Sequence, residues 1–472
     1  MKTIYDFAII GGGVVGCAVF SKLCRLGKKC ILLELNDIAS GESKANSAIV
    51  HAGFDAKPGT FKAYFNVLGS KMYEDMCKRL GVPYKKVGAF VLGNNENIVK
   101  KLYSRGIQNG LNSNELEILY RKDLLTRIDN LNENITCGLY AKNSAITNPY
   151  LLTICLAEEG VVCGGDYRTF FKTKKIKQTE NFEIYGNDEI IEAKQIINAC
   201  SFGYNDIAKM LNCEQYDIKF RRGEYFVLDH SEKDVVKYTL FPLPSEKGKG
   251  ILITPTVDGN ILVGPTAEDS DTITKTTNNG LNEIREKSFG LINNLNLKKT
   301  IRQFAGIRTY IDDDFIVEKS KLNSRVINIA GICSPGLSSA PAIAEYVVKL
   351  LELKNEEVVF DRIKPYFLAK DLSKKDYENL VKLDERYGKI ICKCEMITEG
   401  DIVYALHRPI KVTTVDGIKR RVRAGMGRCQ GGFCMDKVVK IIARENGMSE
   451  FNVLKEYPNS EIFVSEIKDW IF

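Results

Sequence analysis

The feature that most constrains the fold is a glycine-rich turn close to the N-terminus, the run GGGVVG at residues 11–16. An apolar segment, Tyr5–Ile10, precedes the turn and predicts a short buried strand. After the turn come an apolar stripe of helical period over Val14–Leu26 and a second predicted strand, Lys29–Glu34. This order of strand, turn, helix and strand predicts a β-α-β unit in a parallel sheet that binds a dinucleotide.

Each glycine of the motif has a separate physical role. Gly11 permits the tight turn, Gly13 lets the backbone approach a pyrophosphate, and Gly16 allows the helix and strand to pack closely. The amides at the start of the helix attract the negative charge of the pyrophosphate. The carboxylate of Glu34 accepts hydrogen bonds from a ribose diol and repels the 2′-phosphate of NADP. We therefore predict a nucleotide site, with a glycine turn that binds no ligand as the alternative, at Gly11, Gly12, Gly13, Gly16 and Glu34.

The rest of the chain mixes helices with further strands. Helical patterns appear at Phe61–Leu80, Asn148–Glu159 and Pro341–Leu353. In the middle third, the apolar runs Ile251–Thr254 and Ile261–Gly264 flank a turn and predict an antiparallel hairpin. The simplest architecture is α/β: a Rossmann-like parallel sheet layer binds the nucleotide, and an inserted antiparallel sheet binds the substrate.

Composition is typical of a soluble globular protein. Of 472 residues, 44% are hydrophobic and 27% are charged, and the net charge of +7 comes from 67 basic and 60 acidic residues spread along the chain. This distribution does not favour nucleic acid as a partner. No apolar run reaches the roughly 20 residues that span a bilayer, and the N-terminal glycines do not fit a secretion signal. We expect a cytoplasmic protein without a transmembrane segment.

Four of the fourteen cysteines form a pattern near the C-terminus. Cys392 and Cys394 form a CxC pair, and after 34 intervening residues Cys429 and Cys434 form a CxxxxC pair. Four thiolates suit either a tetrahedral zinc ion or a [2Fe-2S] cluster, although zinc ribbons favour CxxC spacing. The basic run Lys419–Arg423, just before the second pair, would either stabilise the negative charge of a cluster or form a solvated basic face. The other ten cysteines are scattered, as expected of reduced cytosolic thiols.

Three segments indicate the cofactor by resemblance, since the glycine motif alone does not separate FAD from NAD. Ser40–Ser47, Ile49–Gly53 and Ala330–Pro341 resemble the flavin-contacting segments of the FAD-dependent family that includes D-amino acid oxidase, glycerol-3-phosphate dehydrogenase and L-2-hydroxyglutarate dehydrogenase. The resemblance covers about residues 1–360 and implies that FAD is the cofactor. It implies cofactor contacts at Ser43, Asn46, Ser47, Gly331, Pro335, Gly336, Leu337 and Ser338.

The reacting centre is expected beside these segments. Oxidation of a secondary alcohol needs a group that takes the hydroxyl proton, and histidine has a suitable pKa. Among three histidines, His51 lies between flavin-adjacent segments, so we predict that it is the catalytic base; a structural, hydrogen-bonded histidine is the alternative. Arg308 matches the position where the family places a substrate-anchoring arginine, which implies that its guanidinium holds a carboxylate or phosphate at the catalytic centre; an ordinary surface ion pair is the alternative. Arg222 is a second candidate for anion binding.

The C-terminal cysteine pattern resembles the bacterioferritin-associated ferredoxin module, which implies a [2Fe-2S] cluster. A flavin domain joined to such a module resembles the large subunit of anaerobic glycerol-3-phosphate dehydrogenases. That resemblance implies oxidation of sn-glycerol 3-phosphate to dihydroxyacetone phosphate, with electrons passing from FAD through the cluster to a partner protein or subunit. The alternatives are oxidation of an L-2-hydroxy acid such as 2-hydroxyglutarate, oxidation of an amine or amino acid, and an iron-handling or regulatory role for the C-terminal module.

These expectations divide the chain into three parts. They are an FAD-dependent oxidoreductase domain at 1–360, a linker at 361–387 and a [2Fe-2S] domain at 388–472. In the first part, the nucleotide-binding segments are about 1–80, 145–205 and 325–355, and the substrate-binding segments are about 81–144 and 206–324. The last part is short for an independent core, so the cluster is expected to stabilise it. Any membrane association would be peripheral, through the electron-accepting partner.

Overall fold

The apolar runs of the sequence form strands in two large sheets and two small ones. The computed structural model describes residues 3–244, 250–270, 275–312, 314–358, 360–361, 363–463 and 465. In these residues the strands are β1 Ile4–Ile10, β2 Cys30–Leu33, β3 Ile49–Val50, β4 Tyr84–Lys86, β5 Ala89–Gly93, β6 Leu116–Tyr120, β7 Cys137–Ala141, β8 Ala145–Thr147, β9 Asp166–Arg168, β10 Lys175–Gln178, β11 Phe182–Gly186, β12 Glu189–Asn198, β13 Lys219–Leu228, β14 Thr239–Pro242, β15 Leu252–Pro255, β16 Ile261–Gly264, β17 Glu268–Asp269, β18 Thr300–Tyr310, β19 Ile316–Lys319, β20 Val326–Ala330, β21 Ile390–Cys392 and β22 Ile397–Thr398.

The helices alternate with these strands along the chain. In the same residues they are α1 Val14–Arg25, α2 Phe61–Leu80, α3 Glu96–Gln108, α4 Arg121–Leu124, α5 Pro149–Val162, α6 Tyr204–Met210, α7 Asn278–Ser288, α8 Gly336–Leu350, α9 Lys374–Leu383, α10 Glu399–Leu406, α11 Val415–Val422 and α12 Met435–Asn446. Side chains of Thr60, Asn148 and Thr398 accept backbone N–H bonds and so fix the starts of α2, α5 and α10. Among the described helices, none is both long enough and apolar enough to cross a membrane.

The first large sheet surrounds the glycine-rich turn. Its order is β10-β11-β12-β1-β2-β9, with β20 beside β12 and β19 beside β20. Strands β9, β2, β1, β12 and β20 are parallel, as predicted for the β-α-β unit. Helices α1, α2, α5 and α8 pack on one face and α6 packs on the other. Because both faces are covered, β1 and β2 are buried along most of their length and apolar instead of alternating.

The second large sheet is the inserted antiparallel layer. Its order is β17-β13-β16-β15-β14-β5-β7-β6, with β18 beside β13. Its strands pair antiparallel except for β14 with β5. The predicted hairpin is confirmed, because β15 and β16 pair antiparallel with Thr254 opposite Leu262. The predicted α/β fold with an inserted antiparallel sheet is therefore confirmed.

We propose that the two layers of residues 1–360 follow the two large sheets. One strand departs from the predicted segments, because β19 lies in the stretch assigned to the substrate layer but pairs with β20 in the first sheet. Ile316 and Val317 lie opposite Ala330 and Ile329. Pairing with β20, rather than the neighbouring sequence, decides the sheet to which β19 belongs.

Helix α8 begins earlier than the sequence predicts, at Gly336 instead of Pro341. Proline has no backbone N–H, so Pro341 cannot donate to the carbonyl of Leu337 one turn before it. The hydroxyl of Tyr73, in α2, donates a hydrogen bond to that carbonyl instead. This contact satisfies the polar group and fixes α2 against the first turn of α8.

The C-terminal residues have a small core of their own. Strands β21 and β22 pair, and α10, α11 and α12 enclose the fully buried side chains of Ile397, Ile402, Ile418 and Val439. The segment predicted as a linker contains α9. The end of the predicted [2Fe-2S] domain, residues 466–472, lies outside the described residues.

Buried arginines join this C-terminal core to the rest of the protein. In α11, Arg420 and Arg421 each direct a guanidinium nitrogen at Oδ2 of Asp37, at 2.8 and 3.4 Å. Arg423 contacts Asp258, in the turn between β15 and β16, at 2.8 Å. The three arginines are only 2–6% exposed. The hypothesis of a solvated basic face is therefore wrong for them, because carboxylates elsewhere in the chain neutralise them; a contribution to cluster stability stays a prediction.

We predict that Arg420→Ala weakens the attachment of the C-terminal core. The substitution leaves Asp37 buried without its main partner, and breaking a buried pair costs about 3–5 kcal/mol. Urea unfolding and limited proteolysis should detect earlier release of the C-terminal core. Arg386→Ala, which removes an exposed pair with Asp384, is the control and should cost less than about 1 kcal/mol. Equal shifts in the two variants would contradict this interpretation.

Candidate functional site

The glycine-rich turn brings three backbone segments into close contact. Gly11 has a φ of +118°, a conformation that glycine adopts without strain. A Cβ on Gly16 would lie 2.0 Å from Gly11 O, and a Cβ on Gly11 would lie 2.4 Å from Ala199 O. Both glycines are therefore required for β1, α1 and the end of β12 to approach each other. A Cβ on Gly13 would meet only the Ser43 hydroxyl, at 3.2 Å, so the space beside Gly13 is open.

Glu34 supports this turn from the end of β2. Its Oε2 accepts a hydrogen bond from Gly12 N at 2.6 Å, and its Oε1 accepts one from Asn36 N at 2.8 Å. Burial raises the pKa of Glu34, and these two bonds oppose the rise. Each carboxylate oxygen keeps a lone pair that a ribose hydroxyl can use. Gly12 and Glu34 thus form one hydrogen-bonded unit at the predicted nucleotide site.

A cavity of about 620 Å³ opens beside the turn and is lined by residues of both large sheets. Its volume is in the range of ligand-binding pockets. The predicted site residues that line it are Gly13, Gly16, Ser43, Asn46, Ser47, His51, Arg308, Gly331, Pro335, Gly336 and Leu337. Those that are not part of its lining are Gly11, Gly12, Glu34, Ser338 and Arg222.

Hydrogen bonds hold the loop between β2 and β3 against this cavity. Ser43 Oγ accepts a bond from the N–H of Val14, the first residue of α1, at 2.8 Å. Asn46 bridges the loop, since its Nδ2 donates to Ser43 O at 3.0 Å and its Oδ1 accepts from Ala48 N at 2.9 Å. The side chains of Ser43 and Asn46 therefore fix the shape of the cavity wall as well as lining it.

The first turn of α8 forms another part of the lining. Gly331, with a φ of +66°, turns the chain after β20, and α8 then begins at Gly336. The N-terminus of a helix stabilises negative charge, which suits the electron-rich edge of a flavin. Helix α2 crosses close to this turn at Gly69, where a Cβ would lie 2.1 Å from Ser338 O.

His51 is held at the cavity wall by its backbone. Its N–H donates to Ser338 Oγ at 2.8 Å, and its ring centroid lies 5.8 Å from that of Phe241. The amide of Asn66, oriented by the hydrogen-bond network, reaches His51 O and Gly53 N at 3.1 Å each. These contacts position the imidazole beside the cavity, and its role as a base stays a prediction.

The structure brings Arg308, but not Arg222, to the cavity. Arg308, in β18, donates from Nη2 to Thr266 O at 2.9 Å and lines the cavity. Arg222, in β13, is 4% exposed, and its guanidinium is paired with Glu224 and Glu268. The structure therefore corrects the assignment of Arg222 to anion binding, because two carboxylates already neutralise it.

Lys62 is a second cation at the cavity, and the sequence patterns missed it. It lies in the first turn of α2 with its Nζ 5.6 Å from the centroid of the Phe315 ring. Burial raises the pKa of the nearby Cys333 thiol, and the charges of Lys62 and Arg308 both oppose that rise. Both cations are therefore near enough to Cys333 to influence its thiol. A lysine at the start of an amphipathic helix is usually solvated, so the sequence offered no signal.

The four predicted cluster ligands lie in two pairs. Cys394 Sγ and Cys429 Sγ are 3.6 Å apart, and Cys434 is the neighbour that lowers the pKa of Cys392 most strongly. Two thiolates on one tetrahedral metal are about 3.8 Å apart when the metal–sulfur bonds are about 2.3 Å long. Among the described residues, no three His, Cys, Asp or Glu side chains gather around a single metal position. Two separate pairs fit a [2Fe-2S] cluster, with two thiolates on each iron, better than one zinc ion.

Comparison with known proteins agrees with this geometry. Residues 6–350 match the family described as FAD dependent oxidoreductase. The chain belongs to the FAD-dependent oxidoreductases. Residues 390–444 of this oxidoreductase match the BFD-like [2Fe-2S] binding domain. The predicted cofactors, FAD and a [2Fe-2S] cluster, are thus confirmed.

Several relatives of this oxidoreductase are named for glycerol 3-phosphate. The glycerol 3-phosphate dehydrogenase of Caloramator mitchellensis is 42% identical over 480 residues, which cover 98% of this chain and 99% of that protein. The glycerol 3-phosphate oxidase of Mycoplasma genitalium is 32% identical over 373 residues, which cover 75% of this chain and 96% of that protein. Among solved structures, the dithionite-reduced L-alpha-glycerophosphate oxidase of Mycoplasma pneumoniae with FAD bound has a TM-score of 0.72 at 29% identity, over 76% of this chain and 97% of that chain.

The cavity of the oxidoreductase fits FAD on its own geometry. The open space beside Gly13 and the first amides of α1 would hold the pyrophosphate, and Glu34 would bind the ribose. The first turn of α8 would lie near the flavin. These assignments of individual contacts stay predictions, whereas the cofactor itself is established by the family.

Glu42 is a second residue at the cavity that the sequence did not single out. Its Oε1 accepts a bond from Thr309 N at 2.7 Å, and its Oε2 accepts one from Ser201 Oγ at 2.8 Å. Burial raises the pKa of Glu42 to about 7, although these bonds and the charge of Arg308 oppose the rise. The carboxyl group ties the loop after β2 to β18 and titrates near neutral pH. Only the tertiary fold brings it to β18, so no local pattern identifies it.

We predict that Glu42 makes the stability of the protein depend on pH. Its pKa is about 7 in the folded protein against 4.5 for an unperturbed carboxyl, so stability falls as the pH rises between these values. Glu42→Gln removes this contribution, and its Tm relative to wild type should rise by a few degrees between about pH 5 and pH 8. Thermal unfolding of the FAD-loaded proteins at both pH values measures the effect. A Tm difference that does not change with pH would contradict the raised pKa.

Proposed function

We propose that this oxidoreductase converts sn-glycerol 3-phosphate to dihydroxyacetone phosphate and delivers the electrons to a partner protein, with FAD and the [2Fe-2S] cluster as its redox cofactors. The observation that carries the proposal is that two cationic side chains, Lys62 and Arg308, line the same cavity as His51. Relatives named glycerol 3-phosphate dehydrogenase and glycerol 3-phosphate oxidase support the same substrate.

The charge of the substrate distinguishes the leading candidates. A phosphate monoester carries about −1.5 to −2 charges on one group at neutral pH, so two converging cations match it. In an L-2-hydroxy acid such as 2-hydroxyglutarate, single negative charges are separated along the molecule, and each matches one arginine. The two cations near Cys333 therefore favour the phosphate.

Each residue at the cavity has a distinct role in the proposed reaction. Lys62 and Arg308 hold the phosphate and thereby place the secondary alcohol beside His51. The imidazole of His51 accepts the hydroxyl proton as the alcohol becomes a ketone. FAD supplies the two-electron oxidising chemistry when it is bound. Ser338 and Asn66 act through the backbone of His51 and keep the ring in position.

Contacts of the cysteine loop with the second sheet support an electron-transfer role for the cluster over an iron-handling one. Arg302, in β18, donates from Nη1 to Gln430 Oε1 at 2.9 Å. Arg428 pairs with Asp229, just after β13, at 2.9 Å. The loop that carries Cys429 therefore lies on the same two strands that supply Arg308 and Tyr225 to the cavity. A cluster that only handled iron would not need this attachment.

We also propose a cytoplasmic location. None of the ten cysteines outside the predicted cluster site forms a disulfide, including the buried ones near α1 and α5. A reducing compartment keeps such thiols from oxidising.

The substrate is tested by anaerobic reduction of the flavin. Full-length protein with both cofactors is mixed with sn-glycerol 3-phosphate, L-2-hydroxyglutarate or glycerol, and the loss of flavin absorbance is followed. We expect rapid bleaching by glycerol 3-phosphate alone. His51→Gln should slow it by about 10²–10⁴-fold while phosphate binding is retained, because only the proton acceptor is removed. Bleaching of the flavin by L-2-hydroxyglutarate but not by glycerol 3-phosphate would contradict the proposal.

The phosphate contact is tested with Lys62→Ala. We expect the Kd of glycerol 3-phosphate to rise about 10–100-fold, since a hydrogen bond to a charged group contributes about 1.5–3 kcal/mol. Lys71→Ala, in the same helix and exposed to solvent, is the matched control and should bind like wild type. Binding is measured by titrating the flavin spectrum with inorganic phosphate and with substrate. If both variants bind substrate as tightly as wild type, Lys62 is not a phosphate ligand.

A further inference from the structure

The cysteine site has an exposed side and a buried side. Cys394 is exposed and Cys429 is partly exposed, whereas Cys392 and Cys434 are buried. Because the thiols lie in two pairs, the pair formed by Cys394 and Cys429 faces solvent. A redox partner that docks at this exposed pair can approach the cluster more closely than a partner that docks over the buried pair.

Two large apolar side chains lie beside the exposed pair. Phe433, in the loop between the last two cysteines, is 86% exposed, and Met396, two residues after Cys394, is 48% exposed. Single exposed apolar residues are common, but two of this size beside an exposed redox ligand indicate a contact surface.

The loop that carries Phe433 is fixed by its own hydrogen bonds. Gln430, with a φ of +50°, donates from Nε2 to Met426 O and Gly427 O at 3.0 Å each. Gly432 N donates to Cys429 O at 3.0 Å. The phenyl ring is therefore presented to solvent by an ordered loop, which lowers the entropic cost of binding a partner.

The exposed charges that neighbour the cluster cysteines in sequence are mainly positive. Lys393 and Lys437 are exposed, and neither forms an ion pair with a carboxylate of the described residues. Arg428 is 73% exposed beside Cys429, although it is paired with Asp229. The nearby acid, Asp436, is already paired with Lys440. The apolar centre thus has a cationic rim.

We propose that this exit face, defined by Cys394, Met396, Phe433, Lys393 and Lys437, docks a small one-electron carrier protein whose cofactor is surrounded by acidic side chains. The inference rests on the proposed function and specifies the chemistry of the electron-accepting partner protein. The lysines attract an acidic surface and raise the association rate, and the apolar centre excludes water from the contact. Oxidation of one alcohol to a ketone releases two electrons and two protons, so two carriers each take one electron and the protons pass to solvent.

The docking is tested with two carriers of opposite charge, acidic plastocyanin and basic cytochrome c. Full-length protein with both cofactors is reduced with stoichiometric dithionite and mixed with each carrier without oxygen, so the result does not depend on the substrate. We expect plastocyanin to be reduced at least about tenfold faster at low ionic strength. The difference should vanish at about 1 M salt, where charges are screened beyond about 3 Å. Equal or faster reduction of cytochrome c at low salt overturns the proposal.

Matched variants locate the contact. Lys393→Glu with Lys437→Glu should slow plastocyanin reduction about tenfold, whereas Lys175→Glu with Lys177→Glu, on the outer strand β10, changes net charge equally and should have no effect. If the double variant loses the visible circular dichroism of the cluster, the single variant Lys437→Glu is tested in its place. Phe433→Ser should slow the reaction at every salt concentration, while Phe289→Ser, at a side chain 40% exposed in another part of the fold, should not. Indistinguishable rates across these variants would overturn the assigned face.

Binding provides a readout that does not depend on electron transfer. Isotope-labelled copper(I) plastocyanin is titrated with the full-length protein, and its NMR resonances are followed. Broadening confined to its acidic patch, lost in Lys437→Glu, supports the proposal. The proposal is overturned if no plastocyanin resonance broadens and the reduced protein passes electrons only to a membrane quinone analogue. A dimer in solution that covers Phe433 in its interface would overturn it as well.

Discussion

Close backbone packing at the glycine-rich turn is the constraint on which the rest of the structure depends. Gly16 and Gly11 leave no room for a Cβ, and Gly11 also packs against Ala199 at the end of β12. This packing sets where α1 begins relative to β1 and β12. The hydrogen bond from Val14 N to Ser43 then places the following loop, and with it one wall of the cavity. A side chain at either glycine would therefore displace the nucleotide site and the reacting centre together.

Charge neutralisation inside the protein gives a second level of organisation. The arginines of α11 reach Asp37, three residues beyond Glu34, so one loop connects the nucleotide site to the C-terminal core. Buried ion pairs of this kind contribute little net stability, but they are costly to break, and they therefore specify one docking geometry. Arg423 and Arg428 extend the same attachment to the second sheet. The redox modules are thus held together by contacts that a surface encounter between separate domains would not supply.

The cationic side chains near the cavity differ in their surroundings. Lys62 and Arg308 line the cavity, whereas Arg222 is paired with carboxylates and does not line it. Arg222 is bound between Glu224 and Glu268, whereas Arg308 donates a hydrogen bond to the carbonyl of Thr266 and lies near the carboxyl of Glu42. Lys62 approaches the same region from a different element. Both side chains reach the cavity because the two sheets and α2 pack around it.

The sequence by itself determined the β-α-β unit, the α/β class and the four-cysteine pattern, because glycine motifs, apolar periodicity and ligand spacing are local and follow from short-range sterics and ligand chemistry. The identity of the two cofactors followed from the resemblance to known families. The sequence also predicted His51 and Arg308 at the reacting centre, and both residues line the cavity. Only the tertiary structure decided that Arg222 is neutralised, that β19 joins the first sheet and that Pro341 lies within α8, where Tyr73 satisfies the carbonyl it leaves free. The tertiary structure was also needed to identify Lys62 and Glu42 at the cavity and to show that the arginines of the basic run are buried. Each of these outcomes depends on a partner distant in sequence, and no local pattern encodes which carboxylate, strand or hydroxyl will be nearby when the chain has packed.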